Sequence, residues 1–352
     1  MTINQRYYHV FVGTYGGEGE DAIQLLLFDS KNGSLKKVTS TSGIASPSFL
    51  AVNHGQNRLY AVSEVDNGEV VCYDVDIKEA TLTEINRQST DGSSPCFVSL
   101  DKGEQWLFTA NYGGGSVVAH ALSEDGVLFP IADRKSYNAE NEKEKLSHPH
   151  SIAPIPNTNK FLVTDLGFDG LYLYQFNRDT STLELVVEVA AVTGSGPRHF
   201  AIHPELQNIY VVNEFNSSIS VYSYDDAIET LELVQQIETI PDDFKEDNYG
   251  ADIHLSPTGS YLYASNRGHH SIATYKILGD GRLSSLQQTP TMGEWPRNFA
   301  IVPNAEYLLV ANEHSDSIVV MKIDEEGIPR ATEQVYSVHR PVCLKVMPVK
   351  GR

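Results

Sequence analysis

Two stretches of this chain, SGPRHFAIHP (195–204) and EWPRNFAIVP (294–303), carry an arginine at the same place, Arg198 and Arg297. A guanidinium is a planar, permanently charged fork. It grips carboxylate or phosphate through paired hydrogen bonds, or steadies the negative oxygen that forms when an ester carbonyl is attacked. A related stretch, SHPHSIAPIP (147–156), puts His150 at the equivalent position, and an imidazole can move protons near neutral pH. Matched arginines and a histidine suit chemistry on an anionic molecule, provided that the chain brings them together.

The elements that must do so are repeats. The phrase returns as SPSFLAVNH from Ser46, SPCFVSLDK from Ser94, HPHSIAPIP from His148, GPRHFAIHP from Gly196, YGADIHLSP from Tyr249, WPRNFAIVP from Trp295 and RPVCLKVMP from Arg340. The anchoring Pro47 and Pro341 lie 294 residues apart over six steps, a mean period of 49. Copies continue through runs such as NIYVVNE, SISVYSY and LELVQQI, rich in Val, Ile and Tyr and separated by Gly, Asn and Asp, which read as strands. Four strands in such a period make one propeller blade. The chain opens on YYHVFVGTY, which matches a second strand, and closes on RPVCLKVMP, which matches a first. The expectation is an all-β, seven-bladed β-propeller of four-stranded antiparallel blades, one domain over residues 1–352. Its C-terminal strand pairs with the N-terminal blade and closes the ring without a free edge.

Aligned from the anchoring Pro or Gly, the first strand separates packing positions from chemical ones. Its third position is apolar throughout: Leu50, Val98, Ile152, Phe200, Ile253, Phe299 and Leu344. Its first reads Ser48, Cys96, His150, Arg198, Ala251, Arg297 and Val342; its second reads Phe49, Phe97, Ser151, His199, Asp252, Asn298 and Cys343. Packing alone does not ask for that polarity, which gathers on one side of the ring. At the ends of the second strands, Ser63-Glu64, Asn111-Tyr112, Asp165-Leu166, Asn213-Glu214, Asn266-Arg267 and Asn312-Glu313 align. The Asn/Asp column suits turn capping. The next column adds Glu214 and Arg267, so that His150, Arg198, Glu214 and Arg267 converge on one channel mouth. Arg297, His199, Asn213, Asn298 and Asp252 are expected to contact substrate there.

Other chemistries fit less well. His148 and His150 flank Pro149 with no cysteine or carboxylate at ligand spacing, so no metal is expected, and no cofactor is needed. NYGGGS (111–116) lies in a strand-to-strand turn, not before a helix, and does not read as a phosphate loop. The insert 137–148 reads as a solvated loop that could cover the mouth. A net charge of −20 argues against nucleic acid and obliges an anionic ligand to find a local cationic cluster. No apolar run reaches membrane-spanning length, and the N-terminus lacks the pattern of a secretory signal. Three widely spaced cysteines fit free thiols. These features lead us to expect a cytoplasmic protein, monomeric or weakly homo-oligomeric, that engages neither membrane nor nucleic acid.

HPHSIAPIP, GPRHFAIHP with VVNEFNSSISVY, ADIHLSP with YASNR, and WPRNFAIVP with VANEHSDSIVV together resemble the lactonase seven-bladed propeller family over essentially the whole chain. That family includes propeller-type 6-phosphogluconolactonases and carboxy-cis,cis-muconate cyclases. The resemblance implies hydrolysis of 6-phospho-D-glucono-1,5-lactone, an anionic sugar lactone of the pentose phosphate pathway. It also implies a catalytic His, Arg, Glu and second Arg, which fall on His150, Arg198, Glu214 and Arg267. Either Glu214 or His150 would activate water, Arg198 would steady the oxyanion, and Arg267 and Arg297 would grip the phosphate. Two alternatives stand beside this reading. One is a cycloisomerase or lactonase for another carboxylated lactone, and the other is a non-catalytic propeller scaffold.

Overall fold

The computed structural model describes residues 6–138, 146–225 and 227–350. Seven four-stranded antiparallel sheets surround a central axis. Blade one takes its innermost strand, Pro341–Pro348, from the end of the chain and its other three from Tyr7–Thr14, Ile23–Asp29 and Ser34–Thr41. This is the expected closure, with Val12 opposite Leu344 and Tyr8 opposite Pro348. Blades two to seven begin at inner strands Leu50–Val52, Pro95–Leu100, Pro149–Pro154, Pro197–Ile202, Tyr249–Leu255 and Pro296–Ile301. Apart from strands, the described residues form a single short 3₁₀ turn at Glu313–Ser315, so no helix is long and apolar enough to cross a membrane. The expectation for 137–148 falls largely on 139–145, outside the described residues.

Alternation along the middle strands turns apolar side chains to both sheet faces, and the core lies between neighbouring blades. Tyr263 and Ile272 of blade six meet Phe299, Leu308, Val310 and Val319 of blade seven. Val10, Val12, Leu26 and Phe28 of blade one meet Leu309, Ala311, Ile318 and Val320 of blade seven, so the closing contact is packed like any other. Each such side chain contributes roughly 1.5–3 kcal/mol when fully buried. The outermost strands are mostly half-buried or exposed; in Leu231–Glu238 only Leu231 is buried.

The innermost strands share an irregularity. In the pairing of the first strand with the second, the register skips Cys96, His150, Arg198, Arg297 and Val342, and skips both Ala251 and Asp252 in blade six. These are β-bulges at the first aligned position. A bulge leaves its extra residue unpaired and re-aims its side chain. The residue before the anchor helps to set the bend. In five of seven copies it has positive φ, namely Ser46, Ser94, Gly196, Trp295 and Arg340. For the four that are not glycine this conformation costs roughly 1–2 kcal/mol.

Candidate active site

The bulges turn His150, Arg198 and Arg297 into one narrow cavity on the axis, lined also by Ser48, Phe49, Cys96, His199, Asn298 and Val342. Phe49 and Phe97 stack at 4.2 Å, and His199 sets its ring edge-on to both at 5.7 and 5.3 Å. The cavity thus has an apolar wall and a cationic one.

Arg198 is 1% exposed. Its Nε donates to Glu214 Oε2 at 2.9 Å and its Nη1 to the Ala251 carbonyl at 2.6 Å. Arg267 reaches the same Glu214 oxygen through Nη2 at 2.8 Å and the Gly250 carbonyl at 2.9 Å. Its guanidinium lies 5.6 Å from the Trp295 ring and 5.9 Å from the Tyr249 ring. Glu214 therefore joins two arginines. Burial alone would push its pKa up, but Arg267, Arg198 and Arg297 outweigh this and hold it below the usual carboxylate range. Arg297 rests 5.1 Å over the Tyr15 ring.

Gly250 explains a departure from the repeat. Proline anchors the other copies, but here the N–H of Gly250 donates to the Glu214 carbonyl at 3.1 Å, a bond proline cannot make. A side chain there would meet the Asn213 carbonyl oxygen at 2.4 Å.

His150 is buried, with Nδ1 3.7 Å from Cys96 Sγ and its ring 5.2 Å from that of His199. Burial, reinforced by Arg198, His199 and Arg297, pushes its pKa well below the ordinary histidine value, so the imidazole is neutral at pH 7. Burial likewise pushes the Cys96 thiol up, so it is not a ready nucleophile. His148 points elsewhere: it stacks on Tyr112 at 4.5 Å, and its Nδ1 meets the Tyr112 carbonyl at 2.9 Å.

Four of the residues expected at the substrate are occupied by protein partners. His199 Nδ1 meets Asp252 Oδ1 at 2.8 Å, and its Nε2 lies 3.3 Å from Arg198 Nη1. That pattern fits an Nδ1–H tautomer accepting from Arg198 at Nε2. Burial, with Arg198, lowers its pKa to about 4. Asp252 Oδ2 takes His254 Nε2 at 2.8 Å and the Asn298 side-chain amide, while Asn298 Oδ1 accepts from the Leu344 N–H at 2.7 Å. Asn213 faces its own blade, donating to Ser218 and Ser220, each at 2.9 Å. Its column is structural: Asn111 and Asn266 make the same bond to Ser116 and Ser271. His199, Asp252 and Asn298 line up behind Arg198, whereas Asn213 tightens a turn.

The repeat columns also held residues not singled out. Glu64 and Glu313 share the column of Glu214 and Arg267, and Tyr15 occupies the matching place in blade one. The Tyr15 hydroxyl donates to Glu64 at 3.1 Å, and buried Glu313 pairs with Arg340 at 2.7 Å.

A family model described as "Lactonase, 7-bladed beta-propeller" matches residues 9–346. The chain belongs to this lactonase family. Membership places it among lactone hydrolases. The chain is 31% identical to 6-phosphogluconolactonase of Bacillus subtilis, over 96% of this chain and 97% of that protein. It is 30% identical to 6-phosphogluconolactonase of Formosa agariphila, over 90% and 93% of the two. Among solved structures of similar proteins, a putative 6-phosphogluconolactonase of Bacteroides fragilis matches at TM-score 0.88 and 29% identity, covering 99% of each chain. The periplasmic gluconolactonase of Pseudomonas aeruginosa matches at TM-score 0.91 and 27% identity, covering 98% of this lactonase and all of that chain.

Proposed function

We propose that this lactonase hydrolyses 6-phospho-D-glucono-1,5-lactone to 6-phosphogluconate at the mouth of the axial cavity. The names of its relatives support the sugar lactone. The observation that carries the anionic substrate is the set of unspent donors on the arginines. Arg267 is 4% exposed, yet its Nε has no hydrogen-bond partner. Among the described residues, Arg297 has no hydrogen-bonded partner, and Arg198 Nη2 has none either. A buried donor left unpaired costs roughly 1–3 kcal/mol, which an incoming phosphate or carbonyl oxygen relieves.

The δ-lactone is an activated ester, so a positioned water and charge stabilisation suffice. Neutral His150 takes a proton from water as the oxygen bonds to the lactone carbonyl. Arg198 holds the oxyanion, and collapse breaks the bond to the ring oxygen, which receives the proton. Glu214 is the less suitable base, because two arginines already draw on one of its oxygens. It aligns those arginines instead. His199, Asp252 and Asn298 act as positioning residues behind Arg198. Arg267 and Arg297 grip the phosphate.

A pH-stat assay on freshly made lactone, corrected for spontaneous hydrolysis, tests this reading. His150→Ala and Arg198→Lys should each lower kcat/KM at least about tenfold, with unchanged far-UV circular dichroism. Wild-type turnover in both variants would remove the site.

A further inference from the structure

Glu214 has a counterpart. Glu64 directly follows the second strand of blade two as Glu214 follows that of blade five, across the seven-bladed ring. The two carboxylates are treated oppositely. Glu214 is clamped by Arg198 and Arg267, whereas Glu64 has no arginine or lysine partner among the described residues. Among the described residues its carboxylate receives only the Tyr15 hydroxyl, 3.1 Å from each oxygen. A carboxylate offers about four lone-pair sites, and one shared O–H leaves most of them open.

Tyr15 is itself held firmly. Its backbone N–H donates to the Arg340 carbonyl at 3.0 Å, and the guanidiniums of Arg297 and Arg340 lie 5.1 and 5.0 Å from its ring. Arg340 is tied in turn to buried Glu313. Burial foremost keeps the Tyr15 hydroxyl protonated, so it donates and Glu64 accepts. The charge of Glu64 is felt by Cys96 and Arg297, both of which line the cavity. Glu64 is thus a half-buried, oriented acceptor, joined through Tyr15 to the cavity-lining Arg297 and set in the blade across the ring from the clamped pair.

We propose that Glu64, oriented by Tyr15, is a specificity-determining residue that accepts hydrogen bonds from substrate hydroxyls. This rests on the lactonase reading above and narrows its substrate class. A fixed carboxylate rewards a polyhydroxylated ring through charge-assisted hydrogen bonds. It also repels a second carboxylate, and so selects a lactone with one anionic group and several hydroxyls over a dicarboxylated one.

The test compares kcat/KM of the full-length wild type and Glu64→Gln on 6-phosphogluconolactone, on glucono-1,5-lactone, and on δ-valerolactone, the same ring without hydroxyls. The variant should lose roughly ten- to a hundredfold on the two hydroxylated lactones. On δ-valerolactone it should stay within about twofold of wild type. Tyr15→Phe, which keeps the ring and removes the orienting bond, should show the same selectivity with a smaller loss. If δ-valerolactone turns over too slowly to follow, inhibition replaces it: Ki for 6-phosphogluconate should rise in Glu64→Gln while Ki for inorganic phosphate does not. Equal loss on all substrates, equal change in both inhibition constants, or no change at all overturns the role of Glu64 while leaving lactone hydrolysis standing. A wild type that hydrolyses none of the lactones overturns both.

Discussion

A neutral imidazole close to the guanidiniums of Arg198 and Arg297 is a weak base, and the proposed mechanism turns that weakness of His150 to use. In the free enzyme, burial and the positive charge of Arg198 and Arg297 oppose its protonation. A lowered pKa means that the proton-accepting form persists to lower pH than an ordinary histidine allows. The kcat/KM profile, which reports the free enzyme, should therefore stay flat below pH 6.5 and fall only in stronger acid. In the proposed mechanism, an anion settling on the arginines screens their opposition, and the imidazole gains basicity as the proton must move. The kcat profile should accordingly bend at a higher pH than the kcat/KM profile. Coincident bends near 6.5 would assign the base elsewhere. The convergence of His150, Arg198, Glu214 and Arg267 is legible in the aligned columns, because each side chain keeps its place in the repeat. Which polar atoms remain free is not. The partners of His199, Asp252 and Asn298 come from neighbouring blades, some fifty residues away, and residue type alone does not reveal that they are spent.

Between blades, a recurring bond uses the same repeat. Tyr60, Tyr210 and Tyr263 occupy one position of the second strand, and each donates its hydroxyl to a glycine carbonyl in the outer turn of the following blade. The acceptors are Gly126 at 2.7 Å, Gly281 at 2.9 Å and Gly327 at 2.9 Å. All three glycines have φ between 78° and 80°, the left-handed conformation that glycine adopts without a side-chain penalty. The motif of an acidic residue followed by glycine in those turns thus serves both a turn and an inter-blade link. Tyr210→Phe should destabilise the protein by roughly 0.5–1.5 kcal/mol, read as a lower urea midpoint at unchanged m-value. An unmoved midpoint would show the bond to be replaceable by water. Strand order and blade closure follow from the period of the repeat and the phase of its ends. The bulges that aim His150, Arg198 and Arg297 do not, because those residues continue an ordinary strand pattern and only the pairing with the second strand exposes the skip.

Over the whole molecule, charge is divided by depth. The chain carries −20, yet Arg198 and Arg297 line the axial cavity, and Glu214 ties Arg198 to a third arginine, Arg267. Composition yields the total but not this segregation, which arises because the ring brings residues from separate blades to one axis. A phosphorylated lactone approaching from afar meets a repulsive field before it reaches an attractive cup. Salt acts unequally on the two. The Debye length shrinks from about 30 Å at 0.01 M to about 8 Å at 0.15 M, which screens charges spread over the surface, whereas buried pairs are screened much less. Raising ionic strength over that range should therefore lower KM for 6-phosphogluconolactone by about two- to threefold while leaving kcat unchanged. Glucono-1,5-lactone carries no charge and should show no such shift, so the pair of substrates separates field from viscosity or specific-ion effects. A KM for the phosphorylated lactone that rises with salt instead would mean that the cup's own field reaches beyond the mouth and governs capture.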